Sequence, residues 1–316
     1  MTRPRLLLPL LARLLLAAAL LPGAARAACD RSLPPPPASG PPQRILFVGN
    51  SFLHGHAPPV LHYNAAAVTD LNGTGYGGVP GVFKQLADEA GLQVSVASEL
   101  LSGQTLRVHL DQKRGVITGQ PWDVVVLQEY SLLNPRQPGD PRAFVTAVGE
   151  LEAAVHAVNP AARVLLLQTW ARADQVYRTP GGRWAGQTLE AMQADLRAAY
   201  ALAAQRAGCV AGVLPVGDAA LRAVQAGVAD RNPFDGIEPG QVNLWGPDSY
   251  HFGPWGSYLE ALVIFGRLTG RDPISLGESS RAGRDLGLTP AQVAAAQRIA
   301  AQTLKAEAGP ASPSTP

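Results

Sequence analysis

The sequence has two cysteines and two methionines in 316 residues, and only 16% of it is charged. Two cysteines without a supporting histidine pattern exclude a structural zinc site. Past the first segment there is no run of lysine or arginine, which removes the electrostatic footprint of a nucleic-acid-binding protein. Long apolar runs are also missing. The longest, Leu6 to Leu21, is interrupted by Arg13 and falls short of the ~20 residues that a spanning helix needs.

That run has another reading. Arg3 and Arg5 precede it and Ala25-Arg26-Ala27 follows it, the charged, apolar and small-x-small order of a secretory signal peptide over residues 1–27. The expected location is secreted or periplasmic, with a lipid anchor through Cys29 as the alternative. Arg26 stands where a lipobox has Leu or a similar residue. Residues 1–27 hold four of the 26 basic residues and no acid, so the remaining chain has 22 basic against 24 acidic residues. In an oxidising compartment Cys29 and Cys209 can pair. Spacing does not choose between a bridge and two free thiols, and the reading leans to no bridge.

With 47% hydrophobic residues, the chain has ample material for one globular domain. Residues 28–43 read as a Pro-rich, extended tether, residues 44–307 as the domain, and residues 308–316 as a disordered tail. Short apolar runs predict strands at Arg44–Val48, Gln93–Ala97, Asp123–Leu127, Arg163–Gln168 and Val210–Val216. Helical periodicity and end signals predict helices at Pro80–Ala90, Ala143–Val158, Thr188–Arg206, Pro254–Leu268 and Pro290–Lys305. Strands that alternate with helices and read as continuous apolar runs imply α/β architecture, a mainly parallel sheet between two helical layers. In such sheets the working residues lie in loops at the carboxyl ends of the strands.

Four loops at those ends carry chemistry. Gly49-Asn50-Ser51-Phe52 follows the first strand and sets a serine on a glycine-permitted turn. Asp248-Ser249-Tyr250-His251 offers a base together with an acceptor to orient it, as a serine nucleophile requires. Gly103, after the second strand, and Gln128, at the end of the third, are placed to supply oxyanion donors.

Together these loops resemble the SGNH/GDSL hydrolases over about residues 44–270. Gly49-Asn50-Ser51 is similar to the first block of that superfamily, with Asn50 where its name-motif has Asp. Gly103 matches the glycine of the second block, and Asp248-x-x-His251 matches the last. The third block departs: Leu127-Gln128-Glu129 stands where the family has Gly-x-Asn-Asp, and Gln is one methylene longer than Asn. A branch with a GNSF first block and an LQE third block is similar to this chain.

The resemblance implies a flavodoxin-like α/β/α sandwich and cofactor-free, metal-independent ester hydrolysis. Ser51 is the implied nucleophile, His251 the base and Asp248 its orienter. The N–H groups of Ser51 and Gly103 and the Gln128 amide are the implied oxyanion donors. The expected substrate is a small-molecule or carbohydrate ester, with short acyl groups on a carbohydrate preferred; oligomeric state is open. The altered third block keeps a second reading alive, a non-catalytic ligand-binding protein on the same scaffold.

Three rival features remain. His54, His56 and His62 lie close together, as in a metallohydrolase, though without an acid or cysteine at ligand spacing. Glu129 with Asp248 offers a glycosidase pair. The insertion over residues 62–78 is either a lid or substrate wall beside Ser51, or a plain surface excursion. Trp245 and Trp255, which flank the triad loop, and His54 are the candidate substrate-binding side chains.

Overall fold

The computed structural model describes residues 29–307; the expected signal segment and the expected tail from residue 308 lie outside them. Six strands form one parallel sheet: β1 (Gln43–Gly49), β2 (Val68–Asp70), β3 (Val94–Leu100), β4 (Val124–Gln128), β5 (Arg163–Leu167) and β6 (Val210–Leu214). The spatial order is β2-β3-β1-β4-β5-β6, with Phe47 of β1 in register with Ser98 of β3 and Val126 of β4. The central strands are apolar on both faces because both are covered. Ile45 to Val48, Val125 to Leu127 and Val164 to Leu167 have no exposed surface, the pattern of a sheet held between helical layers.

The helices are α1 (Ser51–His54), α2 (Gly78–Glu89), α3 (Leu106–Ile117), α4 (Arg142–Val158), α5 (Ala173–Tyr177), α6 (Leu189–Ala207), α7 (Val216–Gln225), α8 (Pro254–Thr269), α9 (Arg281–Asp285) and α10 (Pro290–Glu307). α3, α4 and α6 pack in succession, and α2, α7 and α10 pack around α8. α8 is buried nearly all round, as expected of a helix that lies between the sheet and other helices. Thr188 caps α6 through the N–H of Ala191, and Pro254 opens α8 at its first position, where the missing N–H costs nothing.

Three expectations change. Cys29 and Cys209 form a disulfide, contrary to the reading without a bridge. Cys209 immediately precedes β6, so the bond fixes the start of the described chain at the amino ends of the strands. The Pro-rich segment is extended but not free: Pro37 O accepts the N–H of Gln93 at 2.7 Å, Pro34 O accepts the Gln43 amide, and Arg31 donates to Gly208 O. Finally, the insertion over residues 62–78 contains β2, which pairs with β3 and completes one sheet edge. It is sheet and support rather than a lid.

Candidate active site

β1 ends at Gly49, where an added Cβ would approach Gln128 Oε1 to 2.5 Å, so only glycine lets β4 come this close. Asn50 then caps α1, its side-chain oxygen accepting the N–H of Phe52 at 3.1 Å. This places Ser51 at the first helical position with its own N–H unused by the helix.

The opposite wall is the loop before α8. Asp248 Oδ1 accepts the N–H of Tyr250 at 3.1 Å and of His251 at 3.0 Å, while Oδ2 pairs with His251 Nδ1 at 2.6 Å. One carboxylate therefore shapes the turn and orients the ring. Ser249 takes φ +60° between them, a left-handed conformation uncommon for a residue with a side chain. Gly246 donates to His251 O at 2.7 Å and closes the loop. His251 Nε2 reaches Ser51 Oγ at 2.7 Å across 200 residues of sequence. Ser51, His251 and Asp248 thus form a continuous hydrogen-bonded chain, the arrangement that a serine nucleophile with a base and an orienter requires.

Electrostatics favour a base that starts neutral. Burial lowers the His251 pKa, outweighing the Asp248 hydrogen bond that raises it, and brings it to about 4. Burial raises the Asp248 pKa, but the hydrogen bonds from the His251 ring and from the two backbone N–H groups more than offset it, and the net shift is downward. Asp248 is ionised and His251 is an acceptor for the serine proton at neutral pH.

Two cavities lie at the Ser51–His251 pair, one lined by Ser51 and the other by His251. One, of about 200 Å³, holds Ser51, Gly103, Tyr130, Ser131, Arg172 and Tyr250 among its lining residues. The other, of about 370 Å³, is lined by His56, Val60, Trp245, Pro247, His251 and Pro254 among others. Gly103 takes φ +71° with open space around its Cα. Glycine is required there for the backbone turn, not for room.

The remaining expected site residues divide. Trp245 is buried but lines the larger cavity beside His251. Trp255 does not reach either cavity; its Nε1 donates to Gln292 O at 3.0 Å and ties α8 to α10, so it is a core residue. His54 is also withdrawn: it is 4% exposed, its Nε2 hydrogen-bonds Ser102 Oγ at 2.7 Å, and its ring stacks on Tyr76. Its part is to support the loop that carries Gly103.

Gln128 is corrected as an oxyanion donor. It has no exposed surface; its Oε1 accepts the N–H of Asn50 at 2.9 Å and its Nε2 donates to Glu129 O. The longer side chain folds back and pins the nucleophile turn instead of facing the cavity. Glu129 is likewise inside the protein, accepting the N–H groups of Leu106 and Tyr130. Burial pushes its pKa up to about 8, and it lines neither cavity, which removes the glycosidase pair.

Of the three clustered histidines only His56 lies against His251 and Asp248. Its ring stacks parallel to His251, 4.4 Å between centroids and 1° between planes, and Nε2 lies 3.5 Å from Asp248 Oδ2. His56, Asp248 and His251 lie close enough together to be considered for a metal ion. Stacked parallel rings do not aim their lone pairs at one point, however, and a shared ion would require one ring to turn. A second cluster, Glu152, His156 and Cys209, has its cysteine committed to the disulfide.

Sequence reasoning missed Arg172, Tyr130, Ser131 and Tyr250, and named His56 only within the cluster of three histidines. Tyr250 was visible inside the Asp-x-x-His loop; Arg172 follows β5 by a few residues, at the carboxyl end of a strand, and could have been sought there. Trp170 stacks between Phe52 and Phe252.

No family model matches the chain, and no curated protein matches it. Among solved structures it is similar to a protein from Slackia heliotrinireducens described as an SGNH hydrolase, with 24% identity, 72% of this chain and 99% of that chain covered, and a TM-score of 0.44. It is similar also to a lipase/acylhydrolase from Enterococcus faecalis (16% identity, 72% and 96% covered, TM-score 0.45). A third is a mutant acetyl-xylooligosaccharide esterase from Geobacillus Stearmophilus (14% identity, 79% and 96% covered, TM-score 0.44). These are likenesses of the chain, and none of them assigns a role to Ser51, His251 or Asp248.

Proposed function

We propose that the protein is a serine esterase that cleaves carboxylic esters through an acyl-enzyme on Ser51. The observation that carries this reading is the chain Ser51 Oγ to His251 Nε2 at 2.7 Å and His251 Nδ1 to Asp248 Oδ2 at 2.6 Å. Ser51 Oγ attacks the ester carbonyl carbon as its proton passes to His251 Nε2. The carbonyl oxygen takes the negative charge beside the N–H groups of Ser51 and Gly103. The C–O bond then breaks, His251 returns the proton to the departing alcohol, and water repeats the sequence to release the acid.

The division of space supports short acyl groups. The 200 Å³ cavity with Ser51 and Gly103 takes the acyl side, and the 370 Å³ cavity lined by His251 takes the alcohol that His251 protonates. Trp245 in the larger cavity supports an alcohol with an apolar or ring face, a sugar included. The N-terminal signal pattern supports export, as does a disulfide, which persists in oxidising compartments. A thioether lipid at Cys29 and the Cys29–Cys209 bond exclude each other in one molecule, which favours the unanchored form. Among the described residues no helix is long and apolar enough to cross a membrane.

A fluorophosphonate probe together with nitrophenyl esters of graded chain length tests the reading. Stoichiometric labelling that Ser51→Ala abolishes, with acetate turned over faster than octanoate, is expected. Absent labelling of folded protein would instead favour a binding-only role for the same pockets.

A further inference from the structure

The smaller cavity contains a polar arrangement for which the triad has no use. Arg172 is 8% exposed, and three of its five N–H groups are committed. Nε and Nη2 donate to the Asp174 carboxylate at 3.0 and 2.7 Å, and Nη1 donates to Ser131 Oγ at 2.9 Å. The guanidinium also lies 4.0 Å from the centroid of the Tyr250 ring, next to His251. Held on three sides, it cannot swing into solvent. Ser131 is 3% exposed, and both residues line the cavity that contains Ser51 and Gly103.

A serine hydroxyl has one proton to give and two lone pairs. Ser131 Oγ receives a charge-assisted hydrogen bond, which polarises its own O–H and makes it a stronger donor. Among the described residues no acceptor takes that proton. The two side-chain amides near Ser51 are already turned away: the Asn50 amide donates to Gln104 O at 2.9 Å, and the Gln128 amide to Glu129 O. The loop after β4 thus withdraws the amide at Gln128 and presents a hydroxyl three residues later.

We propose that Ser131 is a catalytic residue, a donor to the oxyanion that forms on Ser51 attack, and that Arg172 is the positioning residue that holds and polarises it. The inference rests on the esterase reading above. Because Asp174 balances the charge of Arg172, the pair adds no net charge to attract an anionic ground state. Its contribution is greatest when charge develops on the carbonyl oxygen. The acyl group served is therefore a small uncharged one.

The experiment measures kcat and KM separately for Ser131→Ala, Ser131→Thr, Ser131→Cys and Arg172→Lys on nitrophenyl acetate, with fluorophosphonate labelling and thermal melting as controls. Ser131→Ala is expected to lose about 100-fold in kcat with KM within about threefold, the size of one oxyanion donor. Ser131→Thr keeps the hydroxyl and recovers most of the rate, whereas Ser131→Cys, a near-isostere with a weak donor, does not. Arg172→Lys falls between. An uncharged trifluoroketone that forms the tetrahedral adduct should lose affinity in step with kcat/KM. Wild-type kcat in Ser131→Ala overturns the inference, as does a loss carried by KM alone. If Ser131→Ala does not fold, wild-type turnover in Ser131→Cys overturns it equally. A folded wild-type protein that neither labels nor hydrolyses esters overturns the esterase reading itself, an outcome distinct from active wild type with an indifferent Ser131.

Discussion

Trp170 stacks on Phe52 with 4.0 Å between ring centroids and 9° between planes. Its other face lies against Phe252 at 3.5 Å, and its Nε1 donates to Tyr250 O at 2.8 Å. Phe52 follows Ser51 and Phe252 follows His251. One indole, just beyond β5, therefore clamps two loops that are 200 residues apart in sequence. The clamp is made of buried aromatic surface, which resists displacement because interiors are close-packed.

Replacing this ring separates stability from alignment. Trp170→Ala is expected to cost about 3–5 kcal/mol by denaturant titration, the range for large-to-small changes in a core. Trp170→Phe keeps an aromatic in the slot but loses the N–H to Tyr250 O, and about 1–2 kcal/mol is expected. Its kcat should nonetheless fall tenfold or more, since small misplacements of reacting groups are costly. Unchanged kcat in a folded Trp170→Phe protein would show that the clamp does not set the Ser51–His251 distance.

The pH dependence follows from His251. Its pKa lies below the ordinary 6.5, at about 4, because burial outweighs the pull of Asp248. The base must be neutral, so the acid limb of kcat/KM is expected well below pH 6. In the unfolded chain the same residue takes its proton near pH 6.5. Between about pH 6.5 and 4 the unfolded state binds more protons, and stability falls as pH falls through that window. His56 contributes to the depression of the His251 pKa. His56→Ala should move the acid limb to higher pH while leaving the plateau near wild type. A pH–rate profile of the two proteins reads this directly, and coincident limbs would remove His56 from the electrostatics of the base.

Gln128 gives a prediction of the opposite kind. With Oε1 bound to the N–H of Asn50, its truncation leaves a buried donor unpaired, which costs about 1–3 kcal/mol. Gln128→Ala is therefore expected to melt earlier and to loosen the turn before Ser51. Gln128→Met, which fills the volume without the acceptor, should be comparably unstable. If Gln128 were itself an oxyanion donor, the Met variant would lose kcat by orders of magnitude at unchanged stability; steady-state kinetics beside a melting curve distinguishes the two.

What could be read in the sequence was what local chemistry dictates. The apolar runs at β1, β4 and β5, the stop signals around α2 and α6, and Pro254 at the start of α8 each carry their own instruction. The Asp248-x-x-His251 spacing fits one turn, so its partnership with Ser51 followed once both loops were placed at the same sheet edge. α3 was not assigned, because its buried positions Leu106, His109, Leu110 and Ile117 include a histidine and sit among charged residues. That histidine is paired inside the protein with Glu99. β2 has three residues and gains its identity only from pairing with β3. The direction of the Gln128 amide, the Trp170 clamp and the Arg172–Ser131 pair depend on contacts between distant segments, which no local pattern encodes.

The disulfide provides the test that leaves the site alone. Cys29 and Cys209 are 180 residues apart in sequence, and closing so long a loop restricts the unfolded chain strongly, by up to about 5 kcal/mol in the chain-entropy model. Cys209 leads into β6 at the amino ends of the strands, whereas Ser51 and Gly103 follow β1 and β3 at the carboxyl ends. Cys209→Ser, or reduction of the wild type, should therefore lower the unfolding midpoint clearly. Below the transition, kcat and KM on a nitrophenyl ester should stay within about twofold of the oxidised protein. A rate that falls with reduction while the protein remains folded would mean that the tether reaches the catalytic edge of the sheet. An unchanged midpoint would mean that the hydrogen bonds of Arg31 to Gly208 and of Gln93 to Pro37 hold the segment without the covalent bond.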